Sequence, residues 1–200
     1  PAVAVGIGAY AVLVLTAMPR AAARPVIDPF GVGEPWRQFV QGAQGAERKL
    51  RATIDSVAAG PLRERMESIA VQLRHGLDEV WQVARRGDEI DATLRTLDPP
   101  ALHSKLATLE QRAAAAPSSE TDAAIASVRS QLESADRLRT RRDETANSLR
   151  LTQTRLDELV ARAAEVKVGA ADTDAYGRDV DELVVGIEAL RQAVEETRRA

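Results

Sequence analysis

Apolar side chains recur every seven residues along most of this chain, and that spacing predicts helices before any other property is considered. Trp36, Ala43, Leu50 and Val57 form one row, with Phe39, Ala46 and Thr53 as its companion. A helix of 3.6 residues per turn brings two such rows onto one stripe, the seam of a coiled coil. Gly60-Pro61 interrupts the pattern, which resumes with Leu62, Ile69, Gly76, Val83, Ile90 and Leu97, paired with Met66, Leu73, Val80, Gly87 and Leu94. Leu62, Ile69, Leu73, Val80, Val83, Ile90 and Leu94 are expected to form the main seam, widened by Leu77 and Trp81. Gly76 and Gly87 each weaken a helix by about 1 kcal/mol relative to Ala, so close approach of another helix is expected where they fall.

Asp98-Pro99-Pro100 reads as a stop and a restart, because Asp can cap a helix and Pro is allowed in its first turn. A shorter helix through Leu102, Leu106 and Leu109 follows and ends near Pro117. Ser119 then serves as a predicted N-cap, with Asp122 three residues on, opening a long helix to about Val168. Its apolar positions are Ile125, Val128, Leu132, Ala135 and Leu138, then Leu149, Leu156, Leu159, Ala163 and Val166, separated by the polar stretch RLRTRRDETANS. Gly169 is placed to cap that helix, and GAADTDAYG reads as a loop. A last helix is predicted over about Arg178 to Arg198. No strand-like alternation appears, and the short breaks favour antiparallel hairpins.

The beginning of the chain has a different pattern. AVAVGIGAYAVLVLTAM, from Ala2 to Met18, carries no charge and is apolar all round. At about 1.5 Å per residue, seventeen residues reach roughly 26 Å, against a hydrocarbon core about 30 Å thick. A transmembrane span is the reading its length favours. A secretion signal lacks here its basic leading region, and a buried core helix is the third reading. Because the chain starts with Pro rather than Met, the span also fits the second arm of a transmembrane hairpin. Arg20 and Arg24 follow it, and basic residues flanking a span tend to remain cytoplasmic, so the helical body is expected at the inner face of the cytoplasmic membrane.

Between Pro19 and Pro35, prolines and glycines are too dense for a continuous helix. The stretch DPFGVGEPWRQFVQGA holds three of the six aromatic residues of the chain. Phe30, Trp36 and Phe39, with Arg20 and Arg24, are candidates for the membrane interface, where an aromatic ring can be apolar at one end and hydrogen-bonded at the other. The competing expectation is that these rings plug the end of a helical bundle.

Composition sharpens the picture without changing it. Aromatic residues make up 3% of the chain and charged residues 28%, as in narrow helix seams rather than thick cores. There is no Cys, so no disulfide, thiolate metal site or cysteine nucleophile is available. The net charge of −3 disfavours a nucleic-acid partner. His75 has Asp78 and Glu79 within a turn, and His103 has no such neighbour; neither marks a metal site. Asp88, Glu89 and Asp91 read as the wet side of an amphipathic helix. Arg137, Arg139, Arg141 and Arg142 form the sharpest basic cluster, for which a solvated, ion-paired face is expected and anionic lipid is the alternative. No nucleophile, base and orienting group share a recognisable spacing, so no catalytic residue and no cofactor is expected.

DPFGVGEPWRQFVQGA, GPLRERMESI, LDEVWQVARRG, LDELVARAAEV and DVDELVVGIEALRQAVEET together resemble a family of uncharacterised actinobacterial membrane-anchored coiled-coil proteins. The resemblance implies an apolar anchor and a helical cytoplasmic body, with no activity or binding residues. A looser similarity is to phage-shock protein A, which pairs a membrane-contacting front with a long coiled-coil hairpin. The expected organisation is all-α: a transmembrane helix over 1–19, a connector over 20–34, a coiled-coil segment over 35–98, a short helix and linker over 99–117, and a long helical hairpin over 118–200. The expected role is a scaffold or adaptor that binds a protein partner or a second copy of itself through helix seams. An accessory subunit of a membrane enzyme or transporter, or a helical domain released after cleavage of the first segment, are the alternatives.

Overall fold

A computed structural model of the chain describes residues 27–196. It is all-α among these residues, with one 3-10 turn at Pro29–Gly31 preceding five helices: α1 Trp36–Asp55, α2 Pro61–Leu97, α3 Pro99–Ala115, α4 Ser119–Lys167 and α5 Thr173–Glu196. None of the described helices is long and apolar enough to cross a membrane. The predicted transmembrane segment over 1–19, with Arg20 and Arg24, lies outside the described residues.

The helix ends follow local chemistry. Pro61 occupies the first turn of α2, where its missing N–H costs nothing. Ser118, one residue before the predicted cap, accepts a hydrogen bond from the Thr121 N–H at 3.2 Å, while Glu120 and Asp122 face the positive end of the α4 dipole. Gly169, with φ of 74°, ends α4 in the left-handed conformation that a side chain would strain. Helix α5 starts at Thr173, before its expected position, because Asp172 turns the preceding loop by accepting from the Asp174 N–H at 3.1 Å.

Helix α1 runs back along α2. Trp36 packs at Gly87, Arg74 reaches Glu47 at 2.9 Å, and Arg63 reaches Asp55 at 3.4 Å. Helix α5 runs parallel to α2, as shown by Arg65 with Asp174 at 3.4 Å and Arg191 with Glu79 at 2.6 Å. The C-terminal half of α4 completes a four-helix bundle. Its core holds Trp36, Val40, Leu50, Met66, Ile69, Leu73, Val80, Val83, Leu149, Leu156, Tyr176, Val180 and Ile187, all essentially removed from solvent.

The break at Asp98-Pro99-Pro100 does not fold α3 back onto α2, contrary to the hairpin expected there. Asp98 adopts φ 46° and ψ 67°, donates its N–H to the Leu94 carbonyl at 3.2 Å, and accepts from the Ala101 N–H at 3.2 Å. One residue therefore closes α2 and opens α3, which carries the chain onward. Helix α4 then pairs antiparallel with α3 and α2 in succession, as Arg129 with Glu110 and Arg142 with Asp91 show. At about 1.5 Å per residue its 49 residues span roughly 74 Å. The outer half of α4 and α3 form a two-helix arm with a small separate core of Leu102, Val128 and Leu132, flanked by Leu106 and Leu109.

Candidate interaction surface

Two features stand out above the packed bundle: a polar junction where the arm leaves it, and the arm itself. At the junction the 3-10 turn lies across the bundle end, with Gly31 over the Trp81 ring and Val32 buried. The Gly33 N–H donates to Asp88 Oδ1 at 3.0 Å. Trp36 Nε1 donates to Asp91 Oδ2 at 2.6 Å, and Arg142 Nε donates to the other oxygen of Asp91 at 3.0 Å. Asp91 thus ties α1, α2 and α4 together with a side chain only 13% exposed. The Arg142 guanidinium is held more firmly protonated than usual, chiefly by its hydrogen bond to Asp143 and further by Asp91, against the opposing effect of burial.

This junction was not legible from spacing. Asp88 and Asp91 read as solvent-facing, and Arg142 as one member of a solvated cluster. Only the register between α2 and α4 brings Arg142 to Asp91. The other arginines of the cluster stay exposed: Arg137 donates to Ser134, Arg139 pairs with Asp136 at 3.1 Å, and Arg141 projects outward.

The structure divides the three aromatic candidates for a membrane interface. Trp36 is fully buried, with its one polar atom committed to Asp91, so its indole is not available to a headgroup layer. That assignment is corrected: Trp36 plugs the bundle end. Phe39 is half-buried against the same core, its ring 6.4 Å from that of Trp36. Phe30 is 72% exposed, with the Arg37 guanidinium 5.4 Å from its ring centroid. Of the seam candidates, Ile69, Leu73, Val80 and Val83 are buried in the bundle, whereas Leu62, Ile90 and Leu94 are half-buried. Ile90 and Leu94 lie beyond Gly87, where α1 has already ended against α2.

A second polar cluster sits between α2 and α5. Arg191 contacts Glu79 and Glu188 at 2.6 Å each and Glu195 at 2.9 Å. The hydrogen bond from Arg191, with help from Gln192, holds the Glu188 carboxyl down at about 2. Burial pushes the Glu79 carboxyl up, and Arg191 opposes that push. Beside this cluster a groove of about 260 Å³ is lined by Arg85, Arg86, Glu89 and Val194, and a groove of about 290 Å³ runs along α1 and α2 beneath Ile27. Among the described residues no three His, Asp or Glu side chains are grouped to hold a metal ion. His103 Nδ1 lies 2.8 Å from the Pro99 carbonyl one turn back, and His75 is exposed.

These features define an all-α protein, among the described residues, in which a four-helix bundle carries a projecting antiparallel two-helix arm. Comparison with protein-family models, with curated proteins and with solved structures finds no match.

Proposed function

We propose that the protein is a membrane-anchored helical scaffold, held at the inner face of the cytoplasmic membrane by its apolar first segment, that binds through the surface of its arm. The observation that carries this reading is the arm. In the bundle each helix is covered by at least two others, whereas α3 and the outer half of α4 cover only one side of each other. A helix pair of this kind leaves most of its surface open, and long helical surfaces recognise partners by side-chain pattern rather than by an enclosed cavity. The chargeless stretch Ala2–Met18, followed by Arg20 and Arg24, supports anchoring and orientation. Phe30, which follows that stretch in the sequence, is exposed, and this supports contact with the headgroup layer.

Two measurements on the full chain test this. Flotation with vesicles of phosphatidylethanolamine and phosphatidylglycerol should survive a carbonate wash and disappear when residues 2–18 are deleted. A photo-crosslinking residue at Ala107 or Ser127 on the arm should give discrete protein adducts in cells, and one at Arg48 on the bundle should not. Release by carbonate, or the same adducts from all three positions, defeats the proposal.

A further inference from the structure

The side of α4 turned away from α3 carries a strip whose charges run in a set order. Asp122, Ala126, Ser130, Glu133, Arg137 and Arg141 follow one another at intervals of four, four, three, four and four residues, so they line one face of the helix, and all six are exposed. Asp122 lies at the outer end, Arg137 and Arg141 lie toward the bundle, and Glu133 sits beside the middle of the strip. Ala126 and Ser130 are small enough to let another backbone approach.

We propose that this strip pairs with the same strip of a second copy, antiparallel, about a two-fold axis between Ser130 and Glu133. The proposal rests on the scaffold reading and names its partner. Around that axis Asp122 of each copy faces Arg141 of the other, Ala126 faces the aliphatic stem of Arg137, and the Ser130 hydroxyl faces the Glu133 carboxylate. The two ends of the strip are complementary to each other and not to themselves. A two-fold antiparallel contact therefore satisfies both at once, as an isologous interface requires. Parallel pairing sets Asp122 on Asp122 and Arg141 on Arg141, and like charges opposite one another are unfavourable. Among the described residues neither Asp122 nor Arg141 has an ion-pair partner within the chain, so each is free to supply one between copies. Exposed ion pairs are individually weak and are screened by salt, so the contact is expected to depend on ionic strength and on crowding at a surface.

Charge exchange tests the register. In the full chain carried in vesicles at low salt, Asp122→Arg alone and Arg141→Asp alone should each reduce cross-linked dimer by roughly tenfold, because each turns two attractive contacts into two repulsive ones. Mixing the two variants should restore it. In the mixed pair the introduced arginine of one copy meets the introduced aspartate of the other, and the unaltered Arg141 of the first meets the unaltered Asp122 of the second. The chain has no Cys, so single introduced thiols report position cleanly. Ser130→Cys should cross-link to itself through a short bismaleimide. Ser119→Cys should not, because antiparallel pairing holds its two copies about 38 Å apart along the axis. All these positions are exposed; Asp122→Arg also gives up a favourable contact with the α4 dipole, so circular dichroism checks that each variant keeps its helicity, and recovery on mixing excludes a folding defect as the cause.

Cross-linking of Ser119→Cys as strong as that of Ser130→Cys, or charge variants with no effect, overturns the pairing. Flotation of the same samples keeps the two proposals separate. Chains that float but do not cross-link overturn the pairing and leave the anchored scaffold standing. Chains that cross-link as expected without floating support the pairing and defeat the anchor.

Discussion

The Trp36 ring lies on the backbone of Gly87: a β-carbon built at Gly87 overlaps the six-membered part of the indole. The only aromatic side chain of α1 to be fully buried thus occupies the space that a missing side chain leaves on α2, and its N–H continues to Asp91, one turn further along α2.

Gly87→Ala should therefore destabilise the fold although it improves helix propensity. Overpacking a filled site costs about 1–3 kcal/mol, and replacing Gly by Ala in a helix returns up to about 1 kcal/mol. A net loss of about 1–2 kcal/mol in urea unfolding is expected. Gly76→Ala is the contrast. Its added carbon meets the Val184 methyl at 3.2 Å and Ile187 at 3.4 Å, both side-chain ends, so its effect should be within about 0.5 kcal/mol of zero. Equal losses at the two positions would contradict this account.

Asp91→Ala should cost about 2 kcal/mol, because it leaves the Trp36 N–H enclosed without an acceptor. Arg142→Gln should cost less than about 1 kcal/mol, since the arginine side chain is 34% exposed and water takes the place of the lost pair. Tryptophan fluorescence during denaturant unfolding measures both, and a larger loss for the arginine variant would place the weight of the junction on the ion pair.

Tyr176 is buried with its hydroxyl unpartnered among the described residues, and burial pushes its pKa up to about 12. The neutral phenol is the form the folded state accepts, so stability is undiminished below pH 10 and falls as pH rises from about 10 toward 12. Tyr176→Phe should remove that alkaline loss. At pH 7 it should also stabilise by about 1 kcal/mol, because a buried hydroxyl without a partner carries a desolvation cost. Destabilisation by this variant would mean that the hydroxyl has a partner.

Acid titration should separate the two carboxylates on Arg191. Glu188, held at about 2, stabilises the fold while ionised; this contribution is complete above the ordinary carboxylate value of 4.5 and is lost as pH falls toward 2. Glu79 has the opposite sign, since its pKa is raised and its ionised form is the one burial disfavours. Glu188→Gln should flatten the decline in stability between about pH 4.5 and 2, whereas Glu79→Gln should remove the gain in stability that comes as pH falls toward 4.5 from above and leave the decline below 4.5 unchanged. Thermal midpoints from neutral pH down to about pH 2 decide, and an effect of Glu188→Gln above pH 4.5 with one of Glu79→Gln below it would exchange the two roles.

Periodicity alone made the helices legible. Ile69, Leu73, Val80 and Val83 lie in the core because seven-residue spacing forces one face of α2 inward whatever covers it. Proline and glycine likewise marked most breaks, since their backbone limits act locally. The all-α class, the limits of α3 and the glycine cap of α4 follow from those two signals. Tertiary structure decided what local signals do not encode. Whether Asp98 reverses the chain or passes it on depends on which helices find α4. Whether Trp36 faces lipid or protein depends on Gly87, fifty-one residues away. The pairing of Asp91 with Arg142 and of Glu79 with Arg191 depends on helix register, which is set by how whole faces interlock and not by any residue's own preference.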